Sequence, residues 1–186
     1  MKRAPQLALA AFGLLIVAIG WARAEPLPGV LATTMPDALF RGTATVRWLG
    51  IPLYDAALWV DPAMRPDSLD YSLPFVLRLR YARSFSGETI ANTSRDEIAR
   101  MRVVSAEQLT EWHARMRDTF PDVSAGTEIA GMNVPGVGVS FFRDGVFLAD
   151  LPGGEFARAF FGIWFDPLAR DATLRQKLLS ASDGRR

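Results

Sequence analysis

The sequence predicts an α+β fold: strands first, then helices, then three more strands and closing helices. Three observations carry that prediction. Residues Phe75 to Ala82 alternate with period two, Phe75, Leu77, Leu79 and Tyr81 on one face and Arg78 and Arg80 on the other. From Ser86 the apolar spacing lengthens to that of a helix, and Asp144-Gly145 between two short strand-like runs is the strongest hairpin signal in the chain. Blocks of strands and blocks of helices, in place of strict alternation, point to an antiparallel sheet with helices packed on it.

Taken in order, Ala38 to Leu49 and Leu53 to Asp61 form an opening hairpin rich in Val, Thr, Trp and Tyr, followed by a turn region holding Pro62, Pro66 and Pro74. Ser86 caps a helix with Ile90, Ala91, Ile98 and Met101 inward, and a break is expected at Asn92 to Ser94, where three residues in succession favour local backbone hydrogen bonds. Ser105 and Gln108 have capping-box spacing at the start of a second helix, whose stripe is Leu109, Trp112, Met116 and Phe120 until Pro121 ends it. Thr127 to Val134, Gly138 to Arg143 and Val146 to Leu151 read as a meander. Glu155 to Phe165 is an apolar helix, and Asp171 caps a last one running to about Ser180 before a fraying tail, Ser182 to Arg186. No internal repeat or linker divides the chain, so residues 25–186 are expected to form one domain.

At the N-terminus, Lys2 and Arg3 precede an apolar stretch from Ala4 to Ala22, and Ala22-Arg23-Ala24 supplies small residues for cleavage. This predicts a secretory signal peptide over residues 1–24 and a periplasmic protein. The alternative, a retained anchor, has an uninterrupted apolar core of only about 15 residues where a span takes ~20. Cleavage would lower 21 basic residues to 18 against an unchanged 20 acidic, a net charge of −2. With no basic surplus and its arginines scattered, the mature chain is not expected to bind nucleic acid. There is no cysteine, so the core alone must hold the fold.

The single histidine, His113, stands beside Trp112 in a helical pattern, which argues against Ser-His-Asp, Cys-His and multi-histidine metal sites and leaves a structural histidine. Pro135-Gly-Val-Gly138 lies between strands and reads as a turn, not a phosphate loop. No metal or cofactor is expected.

Candidate chemistry sits in the opening hairpin. A turn centred on Gly50 and Ile51 would set Arg47 opposite Tyr54, a guanidinium fork beside a phenol, able to hold a carboxylate or polarised carbonyl. The same two residues also read as a strand arginine reaching solvent beside an amphipathic tyrosine. Arg78 and Arg80 are either a solvated sheet face or, beneath helices, pocket residues; Tyr81 is of the opposite parity, and only one parity can line a cleft. Trp48, Trp59, Trp112 and Trp164 read as core rather than as a ligand cage.

The hairpin Val46-Arg-Trp-Leu-Gly-Ile-Pro-Leu-Tyr-Asp-Ala-Ala-Leu-Trp-Val60, the strand Leu77-Arg-Leu-Arg-Tyr81, Gly126-Thr-Glu-Ile129 with Val139-Ser-Phe-Phe-Arg-Asp-Gly-Val146, and Gly162-Ile-Trp-Phe165 together resemble the chalcone isomerase-like proteins, and more narrowly their exported bacterial branch. The resemblance runs over roughly residues 38 to 180. It implies an open-faced β-sandwich, a large antiparallel sheet covered on one face by a layer of helices with a cleft between. In plant members the reaction is an intramolecular conjugate addition closing a flavanone ring, with a strand arginine and hydroxyl side chains at the carbonyl. Relatives without that activity hold a fatty-acid carboxylate with the equivalent arginine and a tyrosine. Arg47 matches the arginine; Tyr54 falls where active plant enzymes carry threonine, and the hairpin is shorter than theirs. The implied partner is a small apolar ligand with an anionic or carbonyl head, bound by Arg47 and Tyr54, with Tyr81, Arg78 and Arg80 as lesser candidates. Turnover is not expected. The alternatives are an intramolecular lyase or isomerase acting on an enone or phenol through Arg47 and Tyr54, and a structural or partner-binding envelope protein.

Overall fold

The computed structural model describes residue 27 and residues 29–101 and 104–180. The expected signal peptide and the C-terminal tail lie outside the described residues. A short helix α1 (Gly29–Thr34) leads into the hairpin β1 (Leu39–Trp48) and β2 (Ile51–Val60), then β3 (Phe75–Tyr81). Helices α2 (Gly87–Met101) and α3 (Ala106–Thr119) follow, then β4 (Glu128–Val134), β5 (Gly138–Arg143) and β6 (Val146–Pro152). Helices α4 (Gly154–Phe165) and α5 (Ala172–Leu179) close the chain. The six strands pair antiparallel in sequence order, β1 to β6. Helices α2 to α5 form the layer on one face, so the α+β, open-faced arrangement expected from the sequence is the one found. No helix of the described residues is long and apolar enough to cross a membrane.

Parity sorts the sheet into two apolar faces. Under the helical layer lie Ala56, Leu58, Val60, Phe75, Leu77, Leu79, Phe141 and Leu151, packed with Phe156, Phe160, Phe161 and Trp164 of α4. The opposite face holds Ala57, Trp59, Val76, Ala130, Met132 and Phe142, covered by Leu27, Leu31 and Met35 around α1. Gly42 lets α5 settle directly on β1: a methyl group there would collide with the carbonyl of Lys177 and lie 2.9 Å from that of Leu178.

Two local expectations are corrected. Helix α2 does not break at Asn92 to Ser94. The polar groups that could have opened it are used along it: the Thr93 and Ser94 hydroxyls donate to the carbonyls of Thr89 and Ile90, and the Asn92 Oδ1 lies 2.7 Å from His113 Nε2 on α3. The hairpin register also differs. The turn is Leu49-Gly50, Trp48 pairs with Ile51 and Arg47 with Pro52, and a bulge between Val46 and Arg47 brings Val46 opposite Tyr54. A one-residue slip would move every side chain to the other face. Burial of Ala44 with its partner Ala56, and of Leu58 and Val60, in the helical-side core selects the register found.

Candidate functional site

A cavity of about 620 Å3 opens between the ends of β1–β3 and helices α2, α4 and α5, within the ~300–1,000 Å3 usual for small-molecule sites. Its apolar wall includes Leu79, Phe85, Ile90, Ile129, Phe160 and Ile163. Its polar lining includes two phenols, with Thr89, Thr93 and Ser94 of α2 beside them. Tyr54 and Tyr81 are direct cross-strand partners on β2 and β3, so both point into the helical side, with ring centroids 5.7 Å apart.

The Tyr54 oxygen accepts a hydrogen bond from Trp164 Nε1 at 3.1 Å, across 110 residues of sequence. Its own proton is therefore free to be donated elsewhere. Tyr81 is 5% exposed, and its hydroxyl has no hydrogen-bond partner among the described residues. Burial raises the pKa of Tyr54 from its ordinary value near 10 to about 12; the Trp164 N–H partly offsets this, and nearby Glu97 adds to it. Tyr81 is also raised, again chiefly by burial and further by Tyr54. Both are neutral donors near neutral pH. Ser94 lines the same hollow, but its hydroxyl is used within α2.

Charge gathers at the mouth. Glu97 of α2 is clamped by two guanidiniums: Arg170 reaches Oε1 with Nη2 at 2.7 Å and Nε at 2.9 Å, while Arg100 Nε lies 3.0 Å from Oε2. Asp171, the N-cap of α5, also lines the mouth, so its charged lining is two arginines, Arg47 and Arg170, and two carboxylates, Glu97 and Asp171. Sequence reasoning passed over Glu97, Arg170 and Trp164 as site residues. No spacing rule links residues this distant in the chain, and only the packing of α2, α4 and the α4–α5 connection on the sheet brings them together.

The candidates read from the sequence part company here. Tyr54 and Tyr81 line the cavity together. Arg47 is not paired with Tyr54 and is not enclosed: it is exposed at the mouth, where Nη1 donates to the Gly50 carbonyl at 3.2 Å. Arg78 and Arg80 lie on the other face of the sheet, away from the cavity, because they share the parity of Val76. Arg78 is buried there, with its guanidinium 5.0 Å from the Trp59 ring centre and 3.5 Å from Glu128 Oε1; Arg80 is exposed opposite Asp55. Trp59, Trp112 and Trp164 are core residues as expected, whereas Trp48 is 64% exposed. A smaller hollow of about 290 Å3 at the other end of the sheet is bordered by Asn133, whose amide donates to the carbonyls of Tyr71 and Leu73.

The comparisons agree with this architecture. The crystal structure of a fatty-acid binding protein from Arabidopsis thaliana is similar in fold, with TM-score 0.58 at 14% identity over 76% of this chain and 86% of that one. No curated protein matches the chain. Residues 39–180, from the first strand to the end of the last helix, match the family described as chalcone isomerase-like. That match spans most of the chain, and the protein belongs to the chalcone isomerase-like family.

Proposed function

We propose that this protein is exported to the periplasm and there binds a fatty-acid-like molecule, its alkyl chain in the 620 Å3 cavity and its carboxylate or carbonyl head on the hydroxyls of Tyr54 and Tyr81. One observation carries the reading. Two neutral phenols stand side by side in an apolar cavity, each with a proton that no group among the described residues accepts. Both hydroxyls open onto the cavity, where one ligand oxygen between them could accept from both. The similarity to a solved fatty-acid binding protein supports the ligand class. Arg47, at the mouth, contributes long-range attraction to an anionic head rather than an enclosed ion pair. The same placement supports binding without turnover. Ring closure onto an enone needs charge stabilisation aimed at the developing oxyanion, and the two arginines that border the cavity, Arg47 and Arg170, are both exposed.

Isothermal titration of long-chain fatty acids and of flavonoid-like phenols against wild type, Tyr81→Phe and Arg47→Ala tests the reading. Tyr81→Phe should weaken fatty-acid binding several-fold, and Arg47→Ala should weaken it less and only at low salt. Equal affinities for all three proteins would refute the proposed head-group site, and loss of a chalcone chromophore on mixing would favour the isomerase alternative.

A further inference from the structure

The two tightest hairpins of the sheet have the same turn geometry and opposite chemistry. Asp144-Gly145, between β5 and β6, has φ of 50° and 78°; Leu49-Gly50, between β1 and β2, has φ of 49° and 80°. The left-handed region at the first turn position is crowded for any residue with a side chain and is ordinarily filled by Asn, Asp or Gly. Asp144 follows that preference. Leu49 does not, and it is 81% exposed, so neither the backbone nor the core explains a leucine there.

Its neighbours extend the same surface. Trp48 is 64% and Ile51 44% exposed, giving a three-residue apolar tip that projects from the end of the sheet. Trp48 also borders the cavity mouth, so the tip and the cavity entrance are continuous. Arg47 is exposed and fastened to the turn through its bond to the Gly50 carbonyl. Arg83, also exposed, follows directly on the bond from Ala82 N–H to the Leu53 carbonyl. Residues 46–54 and 82–84 contain no acidic side chain. Asp55, the next acid along, turns to the other face and accepts from the Thr45 hydroxyl at 2.6 Å.

We propose that the Trp48-Leu49-Gly50-Ile51 tip docks on the surface of an anionic lipid bilayer, so that the bound ligand passes between membrane and cavity at the point of contact. This rests on the fatty-acid-like ligand class proposed above, and it names the source from which that ligand comes. Three apolar side chains are too few for a protein interface, which takes roughly 800 Å2 from each partner. They suit insertion at the headgroup boundary, where tryptophan is favoured and arginines meet anionic lipid. An apolar ligand partitions into the same layer. The left-handed leucine is the cost in stability of keeping the tip apolar.

Leu49→Asn separates the two properties, because asparagine relieves the backbone strain while removing the apolar tip. The variant should melt a few degrees higher than wild type. In flotation with vesicles of phosphatidylethanolamine and phosphatidylglycerol it should bind about tenfold more weakly, the loss expected when one partly inserted leucine is removed. Transfer of an anthroyloxy-labelled stearic acid from those vesicles should speed up with vesicle concentration for wild type, and far less so for Leu49→Asn. Phosphatidylcholine vesicles should bind wild type more weakly than the anionic ones. Equal flotation of the two proteins, transfer that does not depend on vesicle concentration, or a wild-type oligomer that dissociates in Leu49→Asn without any vesicle binding would each overturn the proposal. Flotation needs no ligand, so its failure is distinct from a failure of the fatty-acid titration.

Discussion

The two faces of the sheet bury polar side chains in opposite ways. On the α1 side, Arg78 has its guanidinium over Trp59 and against Glu128, an arrangement in which charge is used to hold strands together. On the helical side, Tyr54 and Tyr81 bring no charge, and their hydroxyls face a hollow. The comparison teaches that a buried arginine in this sheet is a structural device, while the proposed ligand site is lined by neutral donors. Perturbing the α1 side should alter stability and leave affinity unchanged; removing the Tyr81 hydroxyl on the helical side should do the reverse.

The largest effect is expected from Trp59→Ala. It empties the α1-side core around a side chain only 2% exposed and strips Arg78 of its ring contact, costing about 3–5 kcal/mol of stability. Chemical denaturation should show that loss, with fatty-acid affinity per folded molecule unchanged. A parallel fall in affinity would break the separation of the faces.

Tyr54→Phe comes next and should touch both properties. It leaves the buried Trp164 N–H without its acceptor, a cost of about 1–3 kcal/mol, and removes one ligand donor. Replacement of Trp164 by Phe in the same background should recover part of the stability and none of the affinity.

A smaller effect separates the faces by pH. The three tyrosines of the chain, Tyr54, Tyr71 and Tyr81, all pack in the helical-side core, and burial raises each above the ordinary phenol value. A group whose folded pKa lies above its unfolded one contributes stability in full below the unfolded value and loses it as pH climbs through the folded value. For Tyr54 that window runs from 10 to about 12. Tyrosinate absorbance should stay low in the native protein at pH 10, and stability should fall above it. Half-titration at pH 10 in the folded state would contradict the burial assigned to these rings.

Much of this was legible in the sequence, and the failures have specific causes. The period-two run from Phe75 and the helical stripes fixed the layers, because parity and the 3.6-residue repeat are direct consequences of burial. Helix α1 escaped notice: Gly29 to Thr34 is one short turn and a half, without a first-turn acid or last-turn base, and it is buried only through Leu31. The Arg47–Tyr54 pairing failed because the turn places a leucine where turn chemistry expects Asn, Asp or Gly, and because a bulge shifts the register past it. The pairing that matters, Tyr54 with Tyr81, joins two strands separated by the Pro62 to Pro74 connection, and the bond to Trp164 joins residues 110 apart. Both are products of tertiary packing, which local patterning does not encode.

The central claim, that the cavity tyrosines hold the ligand head, is tested most directly by Tyr81→Phe. Among the described residues the Tyr81 hydroxyl has no partner within the fold, so its removal should leave the melting temperature within about a degree of wild type, consistent with a loss of well under 1 kcal/mol. Titration with palmitate should nevertheless show affinity reduced about five- to tenfold, the worth of one hydrogen bond to a ligand oxygen. Unchanged palmitate affinity in a fully folded Tyr81→Phe protein would contradict the account.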